Sequence, residues 1–466
     1  MARKSLPQVS RRKFLTTAAA ASAYLAAPVR LRAQPRTRSS RERLEEALAR
    51  IADPRGEGKR ACLTVYTEAA RAAADAADAR ARSGISLGPL DGTIVSIKDL
   101  FDVAGEPTRA GSKILIDAPP AKEDAAVVRR LRAGGAVIIA KTNMSEFAFS
   151  ILGVNPHHGT PGNPADRTRV PGGSSSGAAV AAADGMCEIA IGTDTGGSTR
   201  APAAFCGIVG FKPSKFRVPT DGAFPLSYML DSIGPLARTV SACALADAVL
   251  AGDEPWTLEE APLLGLRLGV AQGLPMRDLD LLVNTRLNRA TEALNSAGAT
   301  LSDEVISLWD DVARVQAKAS FSSIESYAIH RQYLATRSAD YDPNVLTRIL
   351  QGRDVSAGDY IAMQRERATL VRAMDARLAD LDALILPTTP IVAPKIAEVS
   401  TPETFFPKNT LGLRNTSLIN FFDLCAISLP LPGAGELPVG LMLVARNGQD
   451  RKLFRIAAAV EKLFAA

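Results

Sequence analysis

Pro171-Gly172-Gly173-Ser174-Ser175-Ser176-Gly177, an alanine-rich run, then Gly192-Thr193-Asp194-Thr195-Gly196-Gly197-Ser198-Thr199-Arg200: this stretch bears on both the architecture and the chemistry of the chain. Between its two glycine turns lie a helix-prone segment at 178–184 and an apolar, strand-like segment at 189–191. Helix, glycine, strand is the unit of an α/β protein, and the order recurs at 124–140 and again at 241–270. Further strand-like runs at 93–97, 382–387, 426–430 and 439–445 place strands at both ends of the chain. One sheet that gathers them, covered by helices on both faces, is therefore expected in a single domain. The turns themselves can aim several backbone N–H groups at one point, because glycine accepts positive φ and close approach. That suits an oxyanion or a phosphate, but neither turn is followed by the Lys-Ser/Thr pair of a nucleotide-binding loop.

The chain has 466 residues, 47% of them hydrophobic, enough for a large core. Its net charge of +6 suggests an anionic partner until its location is considered. Residues 1–33 hold seven basic residues and no acid, so the remainder carries 48 basic against 49 acidic residues, a net of −1. Nucleic-acid binding by the main body has no support in this balance. The basic segment instead reads as a signal. Ser10-Arg11-Arg12-Lys13-Phe14-Leu15 has the twin-arginine pattern, followed by a mild apolar run at 16–29 and the small residue Ala33. The expectation is a signal peptide over 1–33 that engages the Tat export machinery and delivers the protein to the periplasm. The run is shorter than the roughly 20 residues of a spanning helix, so no stable membrane anchor is expected.

Five cysteines (Cys62, Cys187, Cys206, Cys243, Cys425), odd in number and without CxxC spacing, read as buried small hydrophobes rather than as disulfides or a zinc site. Residues 39–82 read as exposed helices. Residues 280–380 read as mainly helical, with amphipathic segments around 310–338 and 356–380, and helical residues 310–380 together with loops near His157 and Leu424 are the expected walls of a substrate pocket.

A serine nucleophile needs a base, most often histidine. The chain has only His157 and His158, in a Pro/Gly-rich loop, and His330, in a helical segment, and it lacks a G-x-S-x-G elbow. The next candidate is Lys98, at the end of the strand at 93–97. Burial there lowers a lysine pKa and makes a base of it, whereas exposure makes it one half of a surface ion pair. The residue alone leaves both readings open.

A series of motifs in order settles the resemblance: Gly88-Pro89-Leu90-Asp91-Gly92 leading to Lys98-Asp99, Ala110-Gly111-Ser112, Lys141-Thr142-Asn143-Met144-Ser145-Glu146-Phe147, the two glycine turns, Gly210-Phe211-Lys212-Pro213-Ser214, and Leu230-Asp231-Ser232-Ile233-Gly234-Pro235. Weaker matches follow at 384–390 and in Leu437-Pro438-Val439-Gly440. From about residue 40 onward the chain resembles the amidase signature family of serine amidohydrolases, which use a Ser-cisSer-Lys triad. The resemblance implies an α/β/α sandwich around a mixed, twisted sheet spanning 34–466, with a signature core at 88–236 and a helical variable region at 280–380. It implies Ser198 as nucleophile, Ser174 as a proton bridge after a cis peptide, and Lys98 as general base. It implies an oxyanion hole from the N–H groups of Thr195, Gly196, Gly197 and Ser198, support from Ser175, a bracing pair Asp194–Arg200, and Asn143 and Met144 lining the site. The partners implied are a small amide and water, and a homodimer is left open. The scheme uses no metal or cofactor. An ammonia-supplying component of a tRNA amidotransferase is the rival within the family, and a catalytically silent binding protein on the same scaffold is the rival outside it.

Overall fold

The computed structural model describes residues 38–254 and 256–465, so the twin-arginine segment lies outside the described residues. Eleven strands form one sheet in the order β1-β3-β2-β4-β6-β5-β10-β11-β9-β7-β8. In chain order they are β1 Cys62–Val65, β2 Ile94–Lys98, β3 Val137–Thr142, β4 Ile189–Thr193, β5 Val209–Lys212, β6 Ile233–Ala237, β7 Arg267–Gln272, β8 Thr300–Val305, β9 Ala383–Pro387, β10 Cys425–Pro430 and β11 Gly440–Ala445. β2 runs parallel to β3 and β4, and β7 parallel to β8 and β9, while the pairs between these two groups are antiparallel. The sheet is thus mixed, as expected, and the two halves of the chain join where β10 pairs with β5.

Every residue of β2, β3, β4, β5, β6, β9 and β11 is buried, which is what apolar strands covered on both faces require. The sandwich follows from this: Val95, Ile97, Ile189 and Ile191 join one core, while Ile94, Ala190 and the alanines of helix Ser176–Ala183 pack into another. All five cysteines are buried and free.

Four strands depart from the expectation: β5 and β6 lie where the sequence shows motifs but no strand was expected, and the other two fall in segments expected to be helical. β1 interrupts the segment expected to be helical at 39–82, and β8 lies within the region expected to be mainly helical at 280–380. β1 has only four residues. β8 reads Thr-Leu-Ser-Asp-Glu-Val and is largely exposed at the sheet edge, so it lacks the apolar pattern that marks an interior strand.

Parallel strands β2, β3 and β4 end on the same side of the sheet. Lys98, Thr142 and Thr193 are their last residues. The site lies just beyond these carboxyl ends, where ligands of open α/β sheets bind.

Candidate active site

Lys98 is fully buried. Its Nζ lies 2.8 Å from Ser174 Oγ and 2.8 Å from Thr193 Oγ1, and among the described residues it forms no ion pair. Burial lowers its pKa to about 7, against the opposing pull of the Asp231 and Asp194 carboxylates. The surface ion-pair reading is thereby excluded. Ser174 follows a cis peptide with Gly173. Its turn is fastened from one side: Gly173 N–H donates to Ile151 O at 2.7 Å, and Ser145 N–H donates to Ser174 O at 3.0 Å.

Ser198 stands two residues before helix Arg200–Cys206 and, with Thr195 and Gly196, lines a cavity of about 750 Å³. The loop that carries it is organised by one buried carboxylate. Asp194 Oδ1 accepts from Gly197 N–H (2.8 Å), Arg200 Nη2 (2.9 Å) and Asn420 Nδ2 (2.8 Å), and Oδ2 accepts from Thr199 N–H (3.1 Å), Thr199 Oγ1 (2.9 Å) and Arg200 Nε (3.0 Å). Burial by itself would raise the Asp194 pKa, but the bidentate Arg200 guanidinium outweighs it and holds the carboxyl well below the usual carboxylate range. Asp194 and Arg200 are therefore a brace, both fully buried.

This brace corrects the expected oxyanion hole. The Gly197 N–H is turned inward onto Asp194, so it is not available to a ligand. The N–H groups of Thr195, Gly196 and Ser198 have no protein acceptor among the described residues. Glycine is required at 197, where φ is 133° and a Cβ would fall 2.1 Å from Thr416 Oγ1. That same hydroxyl donates to Gly196 O at 2.6 Å and sets the orientation of the Gly196–Gly197 peptide. Thr195 is tied down separately, its hydroxyl donating to Asp231, whose other oxygen accepts from the Leu226 and Ser227 N–H groups.

Ser175 acts one step further away than expected. Its hydroxyl donates to Thr193 O at 3.3 Å, and the Thr193 side chain, not Ser175, is what touches Lys98. Sequence reasoning passed over Thr193, although its place two residues ahead of Thr195 at the end of β4 is the available signal.

Asn143 and Met144 do not line the cavity. Asn143 is fully buried and bridges Arg60 O, Gly159 O and Met144 N–H, and Met144 packs in the core, because the bend after β3 has to satisfy its own backbone. Nor do His157 or Leu424 reach it. His157 bonds Glu146 at 2.8 Å, and Leu424 belongs to the hydrophobic core. His330 is buried against Tyr341 OH at 2.9 Å, with burial lowering its pKa to about 4. The walls come from the loop at 148–151, from Trp309 to Gln351 as the helical region predicts, and from helix Pro402–Phe421. The last of these was not read from sequence.

The Amidase family profile matches residues 42–454. The chain belongs to the amidase family. As an amidase it is an amidohydrolase. A 2-amino-5-chloromuconic acid deaminase of Comamonas testosteroni is 38% identical over 84% of this chain and 86% of its own. A glutamyl-tRNA(Gln) amidotransferase subunit of Anaeromyxobacter sp. (strain K) is 36% identical over 91% of this chain and 93% of its own. A crystal structure of an amidase superposes with a TM-score of 0.82 at 34% identity, covering 92% of this amidase and 96% of the other.

Proposed function

We propose that this amidase hydrolyses a carboxamide through an acyl-enzyme on Ser198, with Ser174 as proton bridge and Lys98 as general base. The observation that carries the reading is Lys98: a buried amine with a pKa of about 7 whose two near neighbours are hydroxyls. A neutral amine has one lone pair and needs a donor to fill it, and Ser174 Oγ–H is such a donor.

The proton of Ser198 Oγ–H passes to Ser174 Oγ as the Ser174 proton passes to Lys98 Nζ, and Ser198 Oγ attacks the amide carbon. The C–O bond forms while the carbonyl π pair becomes an oxyanion, held by the N–H groups of Thr195, Gly196 and Ser198. Donors of this kind contribute about 3–4 kcal/mol each in comparable sites. The proton returns by the same path to the nitrogen, the C–N bond breaks, and amine or ammonia leaves. Water then repeats the cycle on the acyl-serine and releases the acid.

The reading is tested by labelling with phenylmethanesulfonyl fluoride followed by peptide mass spectrometry. The label is expected on Ser198, with inactivation in step, and S198A is expected to take no label and to lose amide turnover by at least about 10⁴-fold. A label on another residue that tracks inactivation, or substantial turnover by S198A, overturns the assignment.

A further inference from the structure

The cavity in front of Ser198 has an unbalanced charge. Its walls include Phe149, Leu230, Trp309 and Phe421, two arginines, Arg348 and Arg414, and no aspartate or glutamate among the described residues. Arg414 is already employed. It donates to Asn415 Oδ1, Pro275 O and Arg277 O and has Asp278 at 3.7 Å.

Arg348 is not. One of its N–H groups donates to Phe149 O at 2.7 Å and its guanidinium lies 4.1 Å from the centre of the Phe149 ring, but no carboxylate pairs with it among the described residues. A guanidinium presents five donors in a planar fork. Burial lowers its pKa to about 10, with no acid opposing the shift. The side chain is half-buried, so the donors not used by Phe149 stay accessible rather than sealed in the core. The carbonyl and the ring of Phe149 hold the fork in place from one side, and the remaining donors are left for the cavity. Gln351, one turn further along, lines the same wall.

We infer that the cavity takes an amide whose acyl skeleton carries a carboxylate and no ammonium group, the carboxylate being held by Arg348. This rests on the Ser198 acyl-enzyme reading and narrows its substrate class. The carboxylate half follows from the unspent, pre-oriented guanidinium, since planar bidentate pairing is what the fork offers and a carboxylate completes it. The second half follows from the walls. An ammonium group would enter a basic cavity with no acid to receive it, so an amino-acid amide such as glutamine meets repulsion where a simple dicarboxylic acid monoamide does not. The apolar remainder of the wall accommodates the carbon skeleton between amide and carboxylate.

The test compares kcat/KM, by ammonia release, for ω-carboxy amides from succinamate to suberamate, for neutral alkyl amides of matching length, and for L-glutamine beside glutaramate, which differs from it only in lacking the ammonium. The best carboxy amide is expected to exceed its neutral match by about a hundredfold. Glutaramate is expected to exceed glutamine by at least about tenfold. In R348M the carboxylate-to-neutral ratio falls toward one, and R348K restores it in part. Equal use of neutral and carboxylate amides, a ratio that survives in R348M, or a preference for glutamine over glutaramate overturns the inference while leaving Ser198 in place. Should no amide be turned over, calorimetric titration of S198A with the same carboxy amides decides it: binding that R348M abolishes supports it, and binding indifferent to R348M overturns it. Absence of all turnover in the wild type would count against the acyl-enzyme reading instead.

Discussion

Lys98 and Lys212 occupy equivalent positions in two regions of one sheet. Each is the last residue of its strand, β2 and β5, and each is buried to within 1% of full exclusion. Burial lowers both pKa values, Lys98 to about 7 and Lys212 to about 8. Their partners differ. Lys98 Nζ meets two hydroxyls, whereas Lys212 Nζ donates to the carbonyls of Pro213 and Leu424, both at 2.8 Å. A carbonyl only accepts, so nothing beside Lys212 can fill the lone pair of a neutral amine or hand it a proton. A hydroxyl can do both. Burial makes either lysine a stronger candidate base, but only Lys98 has donor capacity around its nitrogen, which fits the proton acceptor of the proposed mechanism, whereas Lys212 is a tie between β5 and the turn before β10.

The sharpest way to break this contrast is K98M. Its kcat/KM is expected to fall by about 10³-fold or more, as for loss of a general base, while K212M falls less than about tenfold. Equal losses would remove the distinction. K98M should also be the more stable protein under acid conditions. The folded pKa of Lys98 lies below the ordinary value of 10.5, so the unfolded chain binds more protons between about 7 and 10.5 and wild-type stability rises with pH across that window. The cost of the buried charge is fully present below about 7. K98M is thus expected to unfold at higher urea than wild type near about pH 6, with a gap on the order of a few kcal/mol that narrows toward about pH 9.

K212M should move the other way. It strips two buried carbonyls of their donor, at about 1–3 kcal/mol each, only partly offset by the removed charge. A net loss of about 2 kcal/mol in urea unfolding is expected, and a gain would mean that the carbonyl bonds contribute little. The smallest effect belongs to T193V. Wild-type kcat/KM should rise with pH through about 7 as Lys98 loses its proton. Thr193 Oγ1 accepts from the ammonium form, so its loss disfavours that form, and the midpoint of the pH–rate profile should shift down with about a tenfold fall in kcat/KM. An upward shift would show that Thr193 serves the neutral amine instead.

Much of the fold was legible because interior strands of a doubly covered sheet are continuous apolar runs, as in Ile94-Val95 and Ile189-Ala190-Ile191. β8 escaped because it is polar and exposed, and β1 because it is short. Helix Pro402–Phe421 escaped for a different reason. Its buried face includes Asn409, Asn415, Thr416 and Asn420, and it contains Pro407, so it shows no apolar stripe and carries an internal breaker. Those polar residues are buried because they satisfy the 194–198 loop and its neighbours: Thr416 bonds Gly196 O, Asn420 bonds Asp194, and Asn409 Oδ1 accepts from the Ser150 hydroxyl and the Ile151 N–H.

The sequence by itself determined the α/β class, the family, and the candidate residues Lys98, Ser174 and Ser198, because strand periodicity and the ordered glycine-serine motifs are local properties of consecutive residues. Only the tertiary structure decided which N–H groups of the second turn remain free among the described residues, that Thr193 rather than Ser175 touches Lys98, and that Arg348 stands beside Phe149 with no carboxylate among the described residues to pair with it. Each of these is a competition for a hydrogen bond or a charge between segments separated in the chain. The Arg348–Phe149 contact spans 199 residues and the Thr416–Gly196 contact 220. No pattern of neighbouring residues records which partner wins.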